Sequence, residues 1–559
     1  MKTCEVRVGD ITIGGESPIR IQSMTTTNTN DTEGSIEQAI RIIEAGGELV
    51  RLTTQGTKEA SNLENIRKGL RERGYTTPLV ADVHFNPAAA LTAAALVEKV
   101  RINPGNFTGE AKKFDMKADK LTDKEWMDLI VSKLKPLVET CKKNKTAIRI
   151  GVNHGSLSDR VMAKYGDTPQ GMVASCMEYI KAFDMLDFHD IVISIKSSNT
   201  RVMVETVRLL SATMRESGCA YPLHLGVTEA GSDIEGRIKS AAGIGALLTD
   251  GLGDTVRVSL TEAPEAEVPV ARQLVDYVQT KAGHKAIRQV ASKSYSPYEY
   301  KKRQSIAVMN VGGDNLPIVI ADVRKTEEFV SIRDIDKAQD YTYIYMTLSE
   351  LTSETAEKLR QRDDVVIVVA AETSNSTAEM RAFILALDEY DIHLPVVVWL
   401  KYETSNKEEL EIESAADAGL LFIDGLADGL VLTDENVAAA DVEQIAYEIL
   451  QATRVRFSKA EFISCPGCGR TLYDIQKQTQ KIKSEFNHLK GLKIAVMGCI
   501  VNGIGEMADA NYGYVGAGVG KISLYRKKEL IKSNLPQENA INELVSIIKE
   551  DGKWVQKGE

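Results

Sequence analysis

The sequence has few cysteines, and its charge is not predominantly positive. The cysteines number seven, and four of them are scattered, at Cys4, Cys141, Cys176 and Cys219. A secreted disulfide framework needs an even, regularly spaced set, so we expect a reducing cytoplasm. The net charge of −11 argues against a nucleic-acid partner, because phosphate backbones bind basic surfaces.

The sequence also lacks targeting, membrane-spanning and nucleotide-binding patterns. It opens with MKTCEVRVGDI, which has neither an apolar signal core nor a transit-like segment. No run approaches the ~18 apolar residues of a membrane span. GIGALLTDGLGDT has the wrong order for a dinucleotide fingerprint, and GYVGAGVGK lacks the ending of a phosphate loop. What remains is a globular enzyme whose 559 residues predict three or four domains.

Residues 1–265 contain short apolar runs separated by helical segments. Continuous apolar runs of this kind are typical of buried parallel strands. Eight strands that alternate with helices predict an α/β protein with an N-terminal (β/α)8 TIM barrel. The predicted strands are Ile19–Met24, Leu49–Thr53, Leu79–Phe85, Val100–Asn103, Ala147–Val152, Ile191–Lys196, Leu223–Thr228 and Thr255–Leu260.

Polar and charged residues stand at the ends of these predicted strands. The C-terminal ends of barrel strands meet at one mouth, where barrel enzymes have their active sites. Five cations from five strands would converge there, and guanidinium groups suit the oxygens of a small polyanion such as a diphosphate. In the alternative, some of the arginines pair with Asp82, Glu229 or Asp254 inside the barrel. The strand-end residues are Arg51, Asp82, His84, Arg101, Asn103, Arg149, Asn153, Lys196, Thr228, Glu229, Arg257 and Ser259.

The middle of the chain, from about residue 283 to 454, resembles a degraded second copy of this pattern. LLTDGLGDTVRVSL is echoed by LFIDGLADGLVLT, with Val431 in the place of Arg257. We predict an inserted, barrel-like β/α spacer domain; a chance match and a second small-molecule pocket are the alternatives. The predicted strands are Ile306–Asn310, Ile318–Val323, Ile344–Leu348, Val365–Ala370, Val396–Leu400, Leu420–Ile423 and Leu430–Thr433.

The last hundred residues carry the most specific chemistry. Cys465 and Cys468 form a C-x2-C pair around a Pro-Gly turn, followed by Cys499 and then Glu506. Three thiolates without a fourth suggest an iron–sulfur cluster with one atypical ligand, because such clusters usually take four cysteines. A carboxylate is a weak partner for this chemistry, so the iron that it binds could exchange it for a substrate oxygen. The alternatives are a structural zinc held by the three thiolates plus a histidine or a carboxylate, with His488 as a candidate ligand, and buried free thiols.

This C-terminal region is predicted to be a small α/β unit. Its expected strands are Lys493–Met497 and Ile522–Tyr525, and a helix near Glu538–Lys549 ends the chain. We place the domain boundaries at 1–280 for the barrel, 281–455 for the spacer and 456–559 for the cluster domain.

The ordered motifs support a resemblance to a family. IQSMT, VRLT, ADVHF, RINPGN, IRIGVNHGSL, YPLHLGVTEAG, GDTVRVSL, CPGCGR and GCIVNGIGE occur in that order. The set resembles the 4-hydroxy-3-methylbut-2-enyl diphosphate synthases of the non-mevalonate isoprenoid pathway, in their long three-domain form. One position departs from the family pattern, since Ile504 replaces a proline two residues before Glu506.

The resemblance implies a reductive enzyme. Its cofactor would be a 4Fe–4S cluster held by Cys465, Cys468, Cys499 and Glu506. Its substrate would be 2-C-methyl-D-erythritol 2,4-cyclodiphosphate, opened with two electrons from ferredoxin or flavodoxin. Such enzymes are homodimers in the two-domain form, and the sequence leaves open whether barrel and cluster of one site come from one chain.

Site roles follow from the motifs and the strand ends together. We predict that Glu506, Glu229 and Asp82 are catalytic. The predicted substrate-binding residues are Arg51, Arg101, Asn103, Arg149, Asn153, Lys196, Thr228, Arg257 and Ser259.

Overall fold

The computed structural model describes residues 2–108, 121–290, 292, 294–338, 340–507 and 509–557. The chain divides into two units. The first consists of Met1–Gly236, Gly251–Arg272 and Lys459–Glu559, and the second of Arg237–Asp250 and Gln273–Ser458. In the described part of the chain, no helix combines the length and the apolar character that a bilayer crossing requires.

A parallel barrel forms the N-terminal part of the first unit. Its described strands pair in the order β8-β7-β6-β5-β4-β3-β10-β9, and a parallel bridge between Ile193 and Leu223 joins the two edges. All eight predicted strands are present, which confirms the barrel, although the last two are only two residues long. The strands are β3 (Arg20–Met24), β4 (Leu49–Thr53), β5 (Leu79–Asp82), β6 (Lys99–Ile102), β7 (Ala147–Asn153), β8 (Ile191–Lys196), β9 (His224–Leu225) and β10 (Thr255–Val256).

Helices follow the strands and begin at well-defined caps. The Asp31 side chain accepts a hydrogen bond from the Gly34 backbone at the start of α1, and Thr122 forms a capping box with Glu125 at the start of α5. The helices are α1 (Thr32–Glu44), α2 (Thr57–Glu72), α3 (Pro87–Ala94), α4 (Pro104–Phe107), α5 (Asp123–Asn144), α6 (Asp159–Tyr165), α7 (Pro169–Met185), α8 (Thr200–Glu216), α9 (Asp233–Thr249) and α10 (Glu267–Thr280).

A short hairpin closes the amino-terminal end of the barrel. Its strands β1 (Val6–Val8) and β2 (Ile11–Ile13) pair antiparallel. Val6, Val8 and Ile13 pack with inward-facing residues at the starts of four barrel strands: Leu49, Val80, Ala147 and Val192. This plug was not predicted, because three-residue strands leave almost no periodic signal. Because the hairpin fills the amino-terminal end of the barrel, the opposite end, where the carboxyl ends of the strands meet, is the one at which a site can form.

The second unit contains a second parallel sheet. Its order is β11-β16-β15-β14-β13-β12, and Val366, Val368, Val397 and Val431 lie in one core. Its strands are β11 (Ile318–Ile320), β12 (Val330–Ser331), β13 (Thr342–Met346), β14 (Val365–Val369), β15 (Val396–Tyr402) and β16 (Gly429–Asp434). Its further helices are α11 (Val323–Thr326), α12 (Ser353–Arg360), α13 (Ser376–Glu389), α14 (Lys407–Ile423) and α15 (Ala439–Ala452).

Two strand predictions in this region are wrong. Leu420–Ile423 is the last turn of α14, since its four apolar residues continue a buried helix. Ile306–Asn310 forms no strand; Val308 makes only a bridge to Val311 across a tight turn. Short apolar runs do not distinguish a strand from the buried end of a helix.

The C-terminal part of the first unit is a mixed five-stranded sheet. The order is β17-β18-β19-β20-β21, parallel across the first three strands and antiparallel across the last three. Its strands are β17 (Glu461–Ser464), β18 (Lys493–Met497), β19 (Tyr512–Gly518), β20 (Lys521–Arg526) and β21 (Glu529–Pro536), and its helices are α16 (Ile475–Phe486), α17 (Ile500–Glu506) and α18 (Gln537–Glu550). The two predicted strands and the final helix are confirmed here.

Candidate active site

A cavity lies between the mouth of the barrel and the C-terminal sheet, within the first unit. About 760 Å³ of space there is free of protein atoms, and part of that space is open to solvent. Every predicted site residue except Asn103 lines it, and all of them belong to one chain. The predicted residues in its wall are Arg51, Asp82, Arg101, Arg149, Asn153, Lys196, Thr228, Glu229, Arg257, Ser259, Cys465, Cys468, Cys499 and Glu506.

Strand register brings the polar side chains together. Asp82 pairs with Arg101 across β5 and β6, and Arg101 pairs with Arg149 across β6 and β7. Asn153 and Lys196 are register partners at the ends of β7 and β8. Residues paired across parallel strands point to the same face, so the charges collect at one level of the barrel interior.

Two cations of the cavity wall, Arg149 and Lys196, form no ion pair with a carboxylate among the described residues, whereas Arg51 is stabilised by the charge of Asp82. Arg149 is 1% exposed, and its Nε and Nη1 have no hydrogen-bond partner among the described residues. Burial and repulsion from Arg51 lower the pKa of Arg149 and that of Lys196 well below their usual values. Burial also lowers the pKa of Arg51 to about 10. An anion in the cavity would relieve this desolvation and repulsion.

The other two arginines are already engaged by the barrel. Arg257 donates from Nε and Nη2 to the two carboxylate oxygens of Glu267, both at 2.9 Å. Arg101 donates to the Gly151 carbonyl and to Asn153 Oδ1, both at 2.9 Å, and its Nη1 lies 3.4 Å from Asp82 Oδ1. The alternative drawn from the sequence, pairing with Asp82, Glu229 or Asp254, holds for Arg101 and Asp82, whereas Arg257 pairs with Glu267, which the sequence did not point to.

Glu506 is buried against the barrel, although it belongs to α17. It is 4% exposed, and its carboxylate accepts hydrogen bonds from Asn153 Nδ2 at 2.5 Å and Thr228 Oγ1 at 2.9 Å. Burial, together with the charge and hydrogen bond of Glu229, raises the pKa of Glu506 well above its usual range. Glu506 therefore binds a proton more readily than an exposed carboxyl group does. Its burial excludes the interpretation of Glu506 as an ordinary surface residue after a glycine-rich turn.

Glu229 itself has an unusual backbone. Its φ of 49° lies in the left-handed region, which non-glycine residues rarely occupy. The residue is 8% exposed and lines the cavity. Such strain persists only where surrounding structure enforces it, and it is concentrated at functional sites.

The three predicted cysteine ligands face the same cavity. Cys465 follows β17, and Gly467, with φ 82°, forms the turn that returns the chain to Cys468. The Gly467 amide lies 3.4 Å from Cys465 Sγ. Burial, followed by repulsion from Glu229 and Cys468, raises the pKa of Cys465. These thiols would ionise together only with a bound cationic centre.

The histidine that the sequence offered as a zinc ligand does not line this cavity. Within the described ranges, no three His, Cys, Asp or Glu side chains are grouped as they would be around one ion. The proposed fourth ligand, His488, lies elsewhere: its Nε2 is 2.8 Å from the Val555 carbonyl, and its ring packs on Trp554.

Two residues, Asn103 and Arg470, have positions that the sequence did not predict. Asn103 is buried, but it caps α4 by accepting from the Gly105 amide at 3.0 Å, and its Nδ2 donates to Ser156 Oγ at 3.1 Å. Arg470 was missed, although it directly follows the C-P-G-C-G turn. It lines the cavity, its Nη2 lies 3.5 Å from Asp82 Oδ2, and the thiolates of Cys468 and Cys499 help to raise its pKa. The sequence could have indicated this role, because Arg470 is the cation nearest in sequence to the turn that carries Cys465 and Cys468.

The fold and this cavity together define a TIM-barrel enzyme with a second, thiol-bearing domain at its active site. Residues 3–272 match the GcpE TIM-barrel domain, and residues 461–550 match the GcpE protein C-terminal domain. The chain therefore belongs to the GcpE family, and it is an oxidoreductase.

Full-length relatives agree with this assignment. The chain is 49% identical over 605 residues to a 4-hydroxy-3-methylbut-2-en-1-yl diphosphate synthase (flavodoxin) of Bacteroides thetaiotaomicron, covering 99% of this chain and 98% of the relative. It is 48% identical over 607 residues to the enzyme of the same name from Phocaeicola vulgatus, covering 100% and 98%. Among solved structures, dihydropteroate synthase from Xanthomonas albilineans aligns with a TM-score of 0.31 and 12% identity, over 49% of this chain and 97% of that one.

Proposed function

We propose that the protein catalyses the reductive ring opening of 2-C-methyl-D-erythritol 2,4-cyclodiphosphate. The products would be 4-hydroxy-3-methylbut-2-enyl diphosphate and water, formed with two electrons and two protons. The observation that carries the proposal is one cavity that has Arg149, Lys196 and Arg51 on one side, with two Arg149 nitrogens lacking a hydrogen-bond partner among the described residues, and three thiols with Glu506 on the other. The names of the full-length relatives agree with it.

The barrel cations would bind the diphosphate. Arg149 and Lys196 are free to bind phosphate oxygens, because neither forms the close carboxylate pair that Arg257 forms with Glu267, and Arg51 would add its charge from the same wall. When a ring C–O bond breaks, negative charge develops on a phosphate oxygen, and preorganised guanidinium groups stabilise that charge. Arg101 and Arg257 are held in ion pairs with Asp82 and Glu267, and they would contribute to the shape of the site rather than bind phosphate directly.

The residues of the C-terminal domain fit an iron–sulfur cluster. Cys465, Cys468 and Cys499 would hold it by soft thiolates, with Glu506 as a fourth, weaker ligand. When bound, a 4Fe–4S cluster supplies electrons one at a time at the substrate. Asn153 and Thr228 donate hydrogen bonds to the Glu506 carboxylate, and these contacts would hold it beside the cluster and satisfy it whenever it is not a ligand.

Glu229 and Glu506 would handle protons. Burial and the neighbouring Glu229 raise the pKa of Glu506, which favours its protonated form and lets it act as a proton donor. The departing oxygen leaves as water, so a proton must reach it inside a closed cavity. Asp82, 3.4 Å from both the Arg101 guanidinium and His84 Nε2, would remain ionised and orient these groups.

The remaining assignments belong to the same proposal. We assign flavodoxin as the electron donor, a cytoplasmic location, a homodimer and a division at 1–280, 281–455 and 456–559. We assign the middle domain the role of a spacer, because Val431 in its apolar core stands in the repeated motif where the barrel has Arg257, so this position offers no cation to a ligand.

Anaerobic purification with iron and sulfide assays, followed by turnover of the cyclodiphosphate with a chemical reductant, tests the proposal. We expect about four irons and four sulfides per chain and formation of the linear diphosphate. A colourless, oxygen-stable protein would contradict the cluster. A protein that holds the cluster but does not turn over the cyclodiphosphate would instead favour a non-catalytic function as a cluster-bearing sensor or scaffold.

A further inference from the structure

Charge is unevenly distributed along the chain. Residues 459–559 contain 15 Lys and Arg against 11 Asp and Glu, a net charge of +4. The whole chain has a net charge of −11, so residues 1–458 have a net charge of −15. The C-terminal domain is thus a basic segment in an acidic protein. Such an asymmetry attracts an acidic partner to that domain and repels it from the rest.

The topology places one hairpin beside the cysteine ligands. β18 and β19 are parallel, so the carboxyl end of β18, from which Cys499 follows, lies at the same edge as the β19–β20 hairpin. A Cβ on Gly516 would lie only 2.4 Å from the Gly498 carbonyl oxygen, so these backbones are in contact. Val519 is three residues further on, within about 10 Å along the chain.

This edge exposes apolar and basic side chains. Val519 at the hairpin tip is 88% exposed, and Ile500, directly after Cys499, is 52% exposed. Lys521 on the hairpin and Lys477 in the first turns of α16 are also exposed. We call these four residues the hairpin surface. Two acidic residues near this edge, Asp474 and Glu538, stand at the starts of α16 and α18.

We propose that the hairpin surface is the docking site of an acidic electron-carrier protein of the flavodoxin type, an inference that rests on the proposed function. Exposed apolar side chains with a basic rim form the pattern of a transient protein interface. The opposite side of the cysteine site faces the barrel cavity, so this edge offers electrons a short entry path. Each encounter would oxidise the reduced carrier by one electron and reduce the enzyme by one, without forming a bond.

The experiment compares two electron sources for the same enzyme. The test variant is Val519→Asp/Lys521→Glu. The matched control is Leu530→Asp/Lys528→Glu, which makes the same changes at the opposite end of the β20–β21 ladder, where Leu530 is 50% exposed. Each protein is loaded with cluster and assayed with reduced flavodoxin and, separately, with reduced methyl viologen, which needs no docking site.

We expect the test variant to lose at least tenfold in kcat/KM for flavodoxin and to keep its viologen-driven rate and iron content. The control should stay within twofold with both donors, and the flavodoxin rate of the wild type should fall as salt rises. Equal flavodoxin rates in all three proteins, or equal losses in test and control, would overturn the docking site. A wild type that turns over with neither donor would overturn the proposed function instead. If the double variant loses iron, Lys521→Glu alone, at an exposed position, replaces it under the same criteria.

Discussion

At the residue scale, Glu506 is held by partners from two parts of the chain. It follows Gly505 in α17, yet its carboxylate accepts hydrogen bonds from Asn153 and Thr228 of the barrel, and burial with the nearby Glu229 raises its pKa. A carboxylate with such alternative partners can leave a metal centre without being left unpaired. This is the property that an exchangeable ligand needs.

The Glu506→Gln variant should keep its cluster, because three thiolates still bind the cluster. Its turnover should collapse, because an amide neither binds the iron as a carboxylate does nor transfers a proton. Glu506→Cys should give a more stable cluster that is nearly inactive, because a fourth thiolate resists displacement. Anaerobic rates measured with visible spectra of the cluster check both. Wild-type-like turnover in Glu506→Cys would rule out the exchangeable-ligand mechanism.

Arg149 and Arg257 should respond differently to removal, although both are buried cations of the cavity. Arg149→Met loses an unshared ligand contact worth ~1.5–3 kcal/mol, so substrate affinity should fall roughly tenfold to over a hundredfold at unchanged stability. Arg257→Met leaves Glu267 buried without its partner, which should lower the free energy of unfolding by ~3–5 kcal/mol. Calorimetric titration and urea unfolding of both variants distinguish the two roles; matching profiles for the two would contradict this assignment.

At the element scale, the two copies of D-G-L-x-D perform the same local task. Asp254 Oδ2 accepts from the Leu223 amide at 2.8 Å, and Asp428 Oδ2 accepts from the Val396 amide at 3.0 Å. In each copy the motif joins the end of a helix to a strand, α9 to β10 and α14 to β16. This shared geometry argues against a chance match. It also explains why Leu420–Ile423, the counterpart of a helix end in the first copy, is not a strand.

Asp428→Ala should destabilise the second unit, because it leaves the buried Val396 amide without its side-chain acceptor. The expected loss is ~1–3 kcal/mol in the free energy of unfolding. Urea unfolding measures it, with the exposed Asp314→Ala of the same unit as the control. If both variants unfold at the wild-type midpoint, the aspartate is not a structural acceptor.

At the scale of the whole molecule, the site depends on contact between barrel and C-terminal domain of the first unit. Gly155 and Gly505 meet backbone to backbone: a Cβ on Gly155 would lie 2.4 Å from the Gly505 carbonyl oxygen. Glu235 adds ion pairs to Lys459 and Lys483 at 2.5 and 2.6 Å. The cavity exists only while these surfaces are together.

Gly155→Ala should therefore abolish turnover while the protein retains its cluster, because the new methyl group separates α17 from the barrel. Gly74→Ala is the control: Gly74 has a similar φ of 86°, against 80° for Gly155, but nothing within 4 Å of its added Cβ. Both variants bear about 1–2 kcal/mol of backbone strain. Steady-state rates alongside iron content check the prediction, and equal activity of the two variants would refute it.

The site should also function within one chain, since both of its walls belong to the same polypeptide. A mixture of Arg149→Glu, which inactivates the barrel, and Cys499→Ser, which removes a thiolate, should stay inactive after joint unfolding and refolding. Recovery of a substantial part of the wild-type rate in the mixture would mean that barrel and cysteines pair across subunits.

The sequence by itself determined the barrel and the chemistry of the site. Eight apolar runs specified the strands because buried parallel strands must be continuously apolar. The placement of Arg149, Lys196 and Glu229 near strand ends then located the cavity, since all parallel strands of a barrel end at one mouth. The Pro-Gly turn between Cys465 and Cys468 specified a thiolate pair by local geometry alone.

Tertiary structure decided what depends on partners distant in the chain. Only the fold shows that Arg257 belongs to Glu267 whereas Arg149 remains open to a ligand, because pairing follows from side chains that meet in space. Asn103 became a helix cap and Arg470 a cavity cation for the same reason. Glu506 reaches Asn153 and Thr228 across roughly 350 and 280 positions of sequence, a distance over which local patterns have no information.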